Sequence, residues 1–178
     1  MILCRYCRTS NIDGAEDCEN CGQPLADAHL PPPPSAATRS LLGDRVETLK
    51  PQGPVAVGPA TPVGEVLRLM VERKIGCVLV AEGPKPVGIF SERDALRKIN
   101  VQAAEFAGRP VSEFMTPNPQ TLMADAKIAF AVQRMDLGGF RHLPIVDGRG
   151  DLIGVISARD ILRYLTDIMT RGSWQSLN

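Results

Sequence analysis

Four cysteines lie within the first 21 residues, as Cys4-Arg5-Tyr6-Cys7 and Cys18-Glu19-Asn20-Cys21, with ten residues between the pairs. Two thiolates at this spacing converge on one metal ion, and two such turns complete a tetrahedral set. Gly22 follows the second pair, where a tight turn is useful. A segment of about 25 residues cannot bury enough apolar surface to fold alone, so the metal would supply the stability. A closed thiolate site leaves no open position for catalysis, which makes it a scaffold or a docking knob. Zinc is favoured, and iron also accepts four thiolates. The competing readings are a disulfide pair or a redox-active Cys-x-x-Cys. The first needs an oxidising compartment, and the second usually carries one motif on a strand–helix junction.

A second chemistry occurs twice, at Ser91-Glu92-Arg93-Asp94 and Ser157-Ala158-Arg159-Asp160. Each serine stands where an apolar strand runs into a helix. Free backbone N–H groups and the positive end of the helix dipole favour an anion there, such as a phosphate. The carboxylates of Asp94 and Asp160 suit a ribose diol, and Arg93 and Arg159 offer planar donors suited to phosphate. The same Ser-x-x-Asp spacing also resembles a capping box that satisfies the helix's own amides. Both readings stay open from the residues alone.

These motifs sit in an internal repeat. Shifted by 65 residues, Val46-Glu47-Thr48-Leu49 falls on Val111-Ser112-Glu113-Phe114, Met70 on Met135, and Ile75 to Val80 on Phe140 to Ile145. With one further residue, in the turn Asp147 to Asp151, Gly88 to Arg97 matches Gly154 to Arg163 with six identities in ten positions. Each repeat begins with a short extended piece, Val55-Ala56-Val57 or Gln120-Thr121-Leu122. A helix follows, with apolar residues at Val63, Val66, Leu67 and Met70, or Ile128, Ala131, Val132 and Met135. Two strands come next (Cys77 to Val80 and Val87 to Phe90; Leu143 to Val146 and Leu152 to Ile156), and a helix starts at Ser91 or Ser157. The order is β-α-β-β-α, twice. The fold class is α+β.

Two such units, each ending in Gly-apolar-apolar-Ser-x-Arg-Asp, resemble CBS domains, named after the regulatory region of cystathionine β-synthase. Leu143-Pro144-Ile145-Val146-Asp147 and the lead-in Phe114-Met115-Thr116 are also typical. The resemblance covers about 130 residues and implies that the repeats pack as one Bateman module, usually paired again into a homodimer. It implies adenosine ligands such as AMP, ADP, ATP or S-adenosylmethionine in the clefts between repeats. It gives phosphate and ribose roles to Ser91, Asp94, Ser157 and Asp160. Arg141 and His142 resemble a basic pair that faces phosphates, while Gly76 and Cys77 stand at their matching positions, so the clefts are chemically unequal. A satisfied surface histidine is the other reading of His142. The backbone around Val55 and Gln120 corresponds to positions that read adenine. The stretch Cys4 to Leu25 is similar to short zinc ribbons, including Asn11 to Ala15 and the Cys-Gly ending, except that Arg8 stands where many have glycine.

The expected domains are a ribbon at 1–25, a linker at 26–40, CBS units at 41–105 and 106–170, and a C-terminal tail at 171–178. Pro31 to Pro34 favour an extended polyproline II spacer, or a proline motif for another protein. Cys77, in an apolar run, reads as a buried small hydrophobe. With 20 basic and 20 acidic residues the formal charge is zero, which gives no global attraction to nucleic acid or to an anionic membrane. No run is apolar enough to span a bilayer, and the first residues have no signal-peptide organisation, so a cytoplasmic location is expected. With two histidines, no nucleophile–base set and no Walker-type loop, the chain is expected not to be an enzyme. The leading expectation is a regulatory module that senses an adenine nucleotide and signals to an unnamed partner protein. The alternative is a ribbon/CBS adaptor that binds a protein or nucleic acid and takes no small molecule.

Overall fold

The computed structural model describes residues 1–4, 7–12, 15–23, 25 and 36–175. The cysteine-rich segment opens with a two-stranded antiparallel ribbon, β1 (Ile2–Leu3) and β2 (Ser10–Asn11). The chain continues with α1 (Ala36–Gly43), a 3-10 turn (Val46–Leu49), β3 (Ala56–Val57), α2 (Val63–Arg73), β4 (Cys77–Glu82) and β5 (Lys85–Ser91). A short α3 (Glu92–Asp94) widens into a π turn (Ala95–Ile99), and a 3-10 turn (Asn100–Gln102) leads to α4 (Ala103–Phe106). A further turn (Val111–Glu113) precedes β6 (Thr116–Pro117), β7 (Leu122–Met123), α5 (Ile128–Gly138), β8 (His142–Val146), β9 (Leu152–Ser157) and α6 (Ala158–Gln175).

The β-α-β-β-α order is present in both repeats. One sheet has the order β3-β4-β5-β6 and the other β7-β8-β9. In each, the first strand runs parallel to the second, as a crossover helix requires, and the next pairing is antiparallel. The helical spacing is borne out at Val63, Val66 and Met70, which are buried, and at Ile128, Ala131 and Met135. Val132, at the edge of the α5 stripe, is instead partly exposed.

Three boundaries differ from expectation. Helix α1 starts at Ala36, inside the stretch expected to be an extended linker, because Ala and Leu in Ala36-Ala37-Thr38-Arg39-Ser40-Leu41-Leu42 are good helix formers. It contacts α5 and α6. Pro31 to Pro34 lie outside the described residues. The last helix of the first repeat is broken, with Asn100 at a positive φ of 49°. Its counterpart α6 runs unbroken past residue 170, to Gln175.

The two repeats exchange their lead-in segments. Val46, which precedes the first repeat, is fully buried in the core of the second, beside Leu122, Ala131 and Leu143. Val111 and Phe114, which precede the second repeat, are buried in the core of the first, beside Val63, Met70 and Phe90. The backbone repeats the exchange. Val63 N–H at the start of α2 donates to Arg109 C=O, and Ile128 N–H at the start of α5 donates to Asp44 C=O. Neither helix has a side-chain cap, so the other repeat's lead-in satisfies these amides instead. Likewise β6 extends the first sheet, while Gln52 pairs with Val155 at the edge of the second.

Candidate functional site

The exchange leaves a cleft between the repeats, with a cavity of about 550 Å³, within the usual small-molecule range of roughly 300–1,000 Å³. Its floor comes from Val55, Cys77 and Leu79, and its polar rim from Lys74, Glu92, Arg141, His142, Ser157, Arg159, Asp160 and Arg163. Of the residues singled out in the sequence, Val55, Arg141, His142, Ser157, Arg159 and Asp160 come together here. Ser91, Arg93, Asp94 and Gln120 are not part of this cavity.

Ser157 ends β9 and opens the eighteen-residue α6, so the positive end of the helix dipole points at the cleft, while the Ala158 N–H donates to Arg141 C=O at 2.9 Å and the Asp160 N–H to Ser157 Oγ at 3.4 Å. The capping box exists: Ser157 N–H and Oγ–H both donate to Asp160 Oδ2, at 2.8 and 2.7 Å. Capping therefore uses one carboxylate oxygen. Among the described residues Oδ1 is met by the exposed Arg163 guanidinium alone, at 3.5 Å. The capping and ligand readings of this motif are thus compatible.

Four cationic side chains (Lys74, Arg141, Arg159, Arg163) face two carboxylates (Glu92, Asp160) around the cavity, a surplus of two positive charges. A concave, partly apolar wall focuses such a surplus on an anion. His142 is partly buried, and burial pushes its pKa below the ordinary value, offset in part by Glu92 and Asp160 and reinforced by Arg141. Gly76 makes room for that ring, since a Cβ there would stand 2.9 Å from His142 Nε2. Lys74 ends α2 in the left-handed region, at φ 54°, where α5 ends on Gly139. A lysine in a glycine's conformation at the cavity rim is an unusual choice, and the strain places a cation there. Burial and the Glu92 charge push the Cys77 thiol up to about 12, so it is a neutral wall group, in keeping with its reading as a small hydrophobe.

Sequence reasoning missed Lys74 and Glu92; Gly76 was read only as the counterpart of Arg141, not as the space for the His142 ring. The departure of Lys74 from Gly139 between the repeats was the available signal for the first. Glu92 stands where the second repeat has Ala158, so its charge also distinguishes the clefts.

The Ser91 cleft is built differently. Ser91 N–H and Oγ–H donate to Asp94 Oδ2 at 3.0 and 2.6 Å, completing the same capping box. Asp94 Oδ1 then takes the Thr116 hydroxyl at 3.1 Å and the Lys98 ammonium at 2.9 Å. Burial opposes ionisation of Asp94, but these bonds from Ser91 and Lys98 outweigh it and hold its pKa below the usual carboxylate value. Arg93 donates to Gly139 C=O, across the repeats.

In the ribbon, the Sγ atoms of Cys4, Cys7, Cys18 and Cys21 all lie within 4.8 Å of one another. Cys4–Cys21 and Cys7–Cys18 are 3.6 and 3.4 Å apart. A tetrahedron with sulfur about 2.3 Å from a central zinc has edges of about 3.8 Å, so the set fits a metal. Matching turns present the pairs: Arg8 N–H donates to Cys4 C=O and Gly22 N–H to Cys18 C=O, both at 2.8 Å. Both residues are left-handed, Arg8 at φ 60° and Gly22 at φ 66°. The missing glycine thus leaves a strained arginine in an unchanged turn. Replacing it (R8G) is expected to stabilise the ribbon by about 1 kcal/mol. Competition with a chromophoric chelator should register this as roughly fivefold tighter metal retention. Asn11 is buried and clamps the two halves, its amide donating to Thr9 C=O at 2.9 Å and its oxygen accepting from Glu19 N–H at 3.1 Å.

Two exchanged β-α-β-β-α repeats around a cationic cleft define a class, and comparison with known proteins names it. Residues 48–101 and 111–167 match the CBS domain model, more than half of the chain, and the protein belongs to the CBS-domain family. Over 115 residues it is 32% identical to an uncharacterized 17.7 kDa protein of Acidianus ambivalens, covering 64% of this chain and 68% of that one. Longer plant CBS-domain proteins match at 31% identity over only a quarter of their length. Among solved structures, the CBS-domain protein ATU1752 of Agrobacterium tumefaciens is similar at 31% identity and a TM-score of 0.62, covering 67% of this chain and 98% of that one. The CBS domain protein PAE2072 of Pyrobaculum aerophilum, solved in complex with AMP, is similar at 26% identity and a TM-score of 0.60, covering 69% and 98%. No described helix is long and apolar enough to cross a membrane.

Proposed function

We propose that the chain is a non-catalytic regulatory module that takes an adenine nucleotide into the Ser157/Asp160 cleft and signals its occupancy to a partner protein. The observation that carries this reading is the cavity itself: a helix N-terminus, a carboxylate oxygen left over from capping, and a surplus of cations meet around an apolar floor. Ser157 and the positive end of the α6 dipole hold the phosphate, and Arg141, Arg159 and Lys74 balance its charge. Asp160 Oδ1 accepts from the ribose hydroxyls. The adenine lies against Val55 and Leu79. The AMP complex of the Pyrobaculum relative supports the ligand class. We place the protein in the cytoplasm as a homodimer.

Cys4, Cys7, Cys18 and Cys21 would hold a structural zinc ion, which supplies cross-linking and no reaction. The adaptor reading has one observation in its favour: Leu3 and Ile12 of the ribbon are 61% and 75% exposed, as a docking knob requires. A pull-down that captures the same partner with and without nucleotide would favour that reading over sensing.

AMP at a hundred times its Kd should raise the folding free energy by about 2.7 kcal/mol and Tm by several degrees, at about 2–4 °C per kcal/mol. A nucleotide panel that gives neither a thermal shift nor calorimetric heat would refute the reading. Binding should also depend on pH. His142 is below its ordinary 6.5 in the free protein, so its contribution to folding is present above 6.5 and is lost as pH falls. A phosphate beside it raises its pKa, so the His142 share of binding takes up protons and strengthens as pH falls through that raised value. Calorimetry in buffers of different ionisation enthalpy should read this uptake on top of the proton release from the AMP phosphate, whose second pKa is about 6, and His142→Gln should remove the uptake and leave the release.

A further inference from the structure

The two Ser-x-Arg-Asp motifs have equivalent sequences but unequal surroundings. In the first repeat both carboxylate oxygens of Asp94 are committed: Oδ2 to the capping box, Oδ1 to Thr116 and Lys98. Lys98 Nζ also donates to Phe114 C=O at 2.7 Å and Met115 C=O at 2.9 Å. Its three protons therefore have three protein acceptors, one carboxylate and two carbonyls of the exchanged lead-in. Asp94 is only 8% exposed. In the second repeat the residue in phase with Lys98 is Tyr164, and its hydroxyl goes to the Asp44 carboxylate after α1. Among the described residues Asp160 pairs with the Arg163 guanidinium at 3.5 Å and with no ammonium.

We propose that Lys98 is the resident cation of the first cleft: it closes that cleft to nucleotide, so the chain takes one adenosine ligand, at Asp160. This rests on the reading of the second cleft as a nucleotide site and assigns Lys98 the role of limiting where the ligand binds. An ammonium that neutralises Asp94 and ties down the lead-in does from inside what a ligand would do from outside. Asp94, expected from the resemblance to hold ribose, becomes a structural group. The helix behind Ser91 adds to the contrast, since it is α-helical only over Glu92–Asp94 before widening.

Two measurements on the full chain test this. Titration with AMP, followed by calorimetry and native mass spectrometry, should give one AMP per chain. Asp94→Asn should keep that stoichiometry with Kd within about twofold, while Asp160→Asn should weaken binding at least about thirtyfold. Two AMP per chain, or a bound AMP lost in Asp94→Asn, would overturn the proposal. The second is a double-mutant cycle on thermal or urea unfolding with Asp94→Asn and Lys98→Met, which keeps the lysine stem. The folding constants should be coupled by about tenfold, and additivity within twofold would overturn the closure. If the wild type takes up no AMP but the coupling holds, the nucleotide reading fails and the closure stands.

Discussion

Removing metal from the cysteine cluster is expected to unfold residues 1–25 and leave the two repeats folded. Among the described residues the ribbon's core contains little besides its ligands: Cys4, Cys18 and Leu25 are buried, with Ile2, Cys7, Ala15 and Cys21 packed against them. Its strands are two residues each. Nothing of that size holds together by burial alone, whereas a structural zinc contributes about 10–16 kcal/mol of apparent free energy at neutral pH. Neither repeat core includes a ribbon residue among those described. In an amide correlation spectrum, chelator should collapse the ribbon resonances to random-coil positions and leave those of residues 41–170 in place. Cys18→Ser, which changes a buried ligand, should do the same without chelator. Dispersed ribbon resonances in fully metal-free protein would contradict the account.

Fragments 41–105 and 106–170, the units the internal repeat suggests, are each expected to be unfolded alone. The first would lose Val111 and Phe114 from its core and expose Val46. Each such side chain is worth about 1.5–3 kcal/mol when buried, and a whole domain has only about 5–15 kcal/mol of stability. The second fragment would lose Val46 together with the backbone bonds from Val46 to Ala126, Glu47 to Ala124 and Gln52 to Val155. Circular dichroism should find neither fragment cooperative, while the intact pair unfolds in one transition. A separate sigmoidal transition in either fragment would refute the exchange.

Much of this architecture was legible in the residues. The 65-residue repetition carried the element order, because hydrophobic spacing at Val63, Val66 and Met70 reflects a face that must be buried. The Cys-x-x-Cys pairs carried the ribbon, because thiolate geometry leaves little freedom. Arg8 was readable as an anomaly, and the turn kept its left-handed shape. The exchange of lead-ins was not legible, since Val46 and Val111 have the same hydrophobic character and either would suit either core. Nor was the inequality of the motifs: Lys98 lies four residues beyond Asp94, a spacing that reads as an ordinary surface ion pair on a helix. Only the approach of Phe114, Met115 and Thr116 from the other lead-in makes it a closure. The helix at α1 was hidden by the neighbouring prolines.

The central claim is that the Ser157/Asp160 cleft binds an adenine nucleotide. A crystal structure of the full chain grown with AMP tests it most directly. Density is expected for one AMP per chain, with the phosphate at the α6 N-terminus beside Ser157 and a ribose hydroxyl on Asp160 Oδ1. An empty cleft at saturating AMP, or AMP bound only elsewhere, would contradict it.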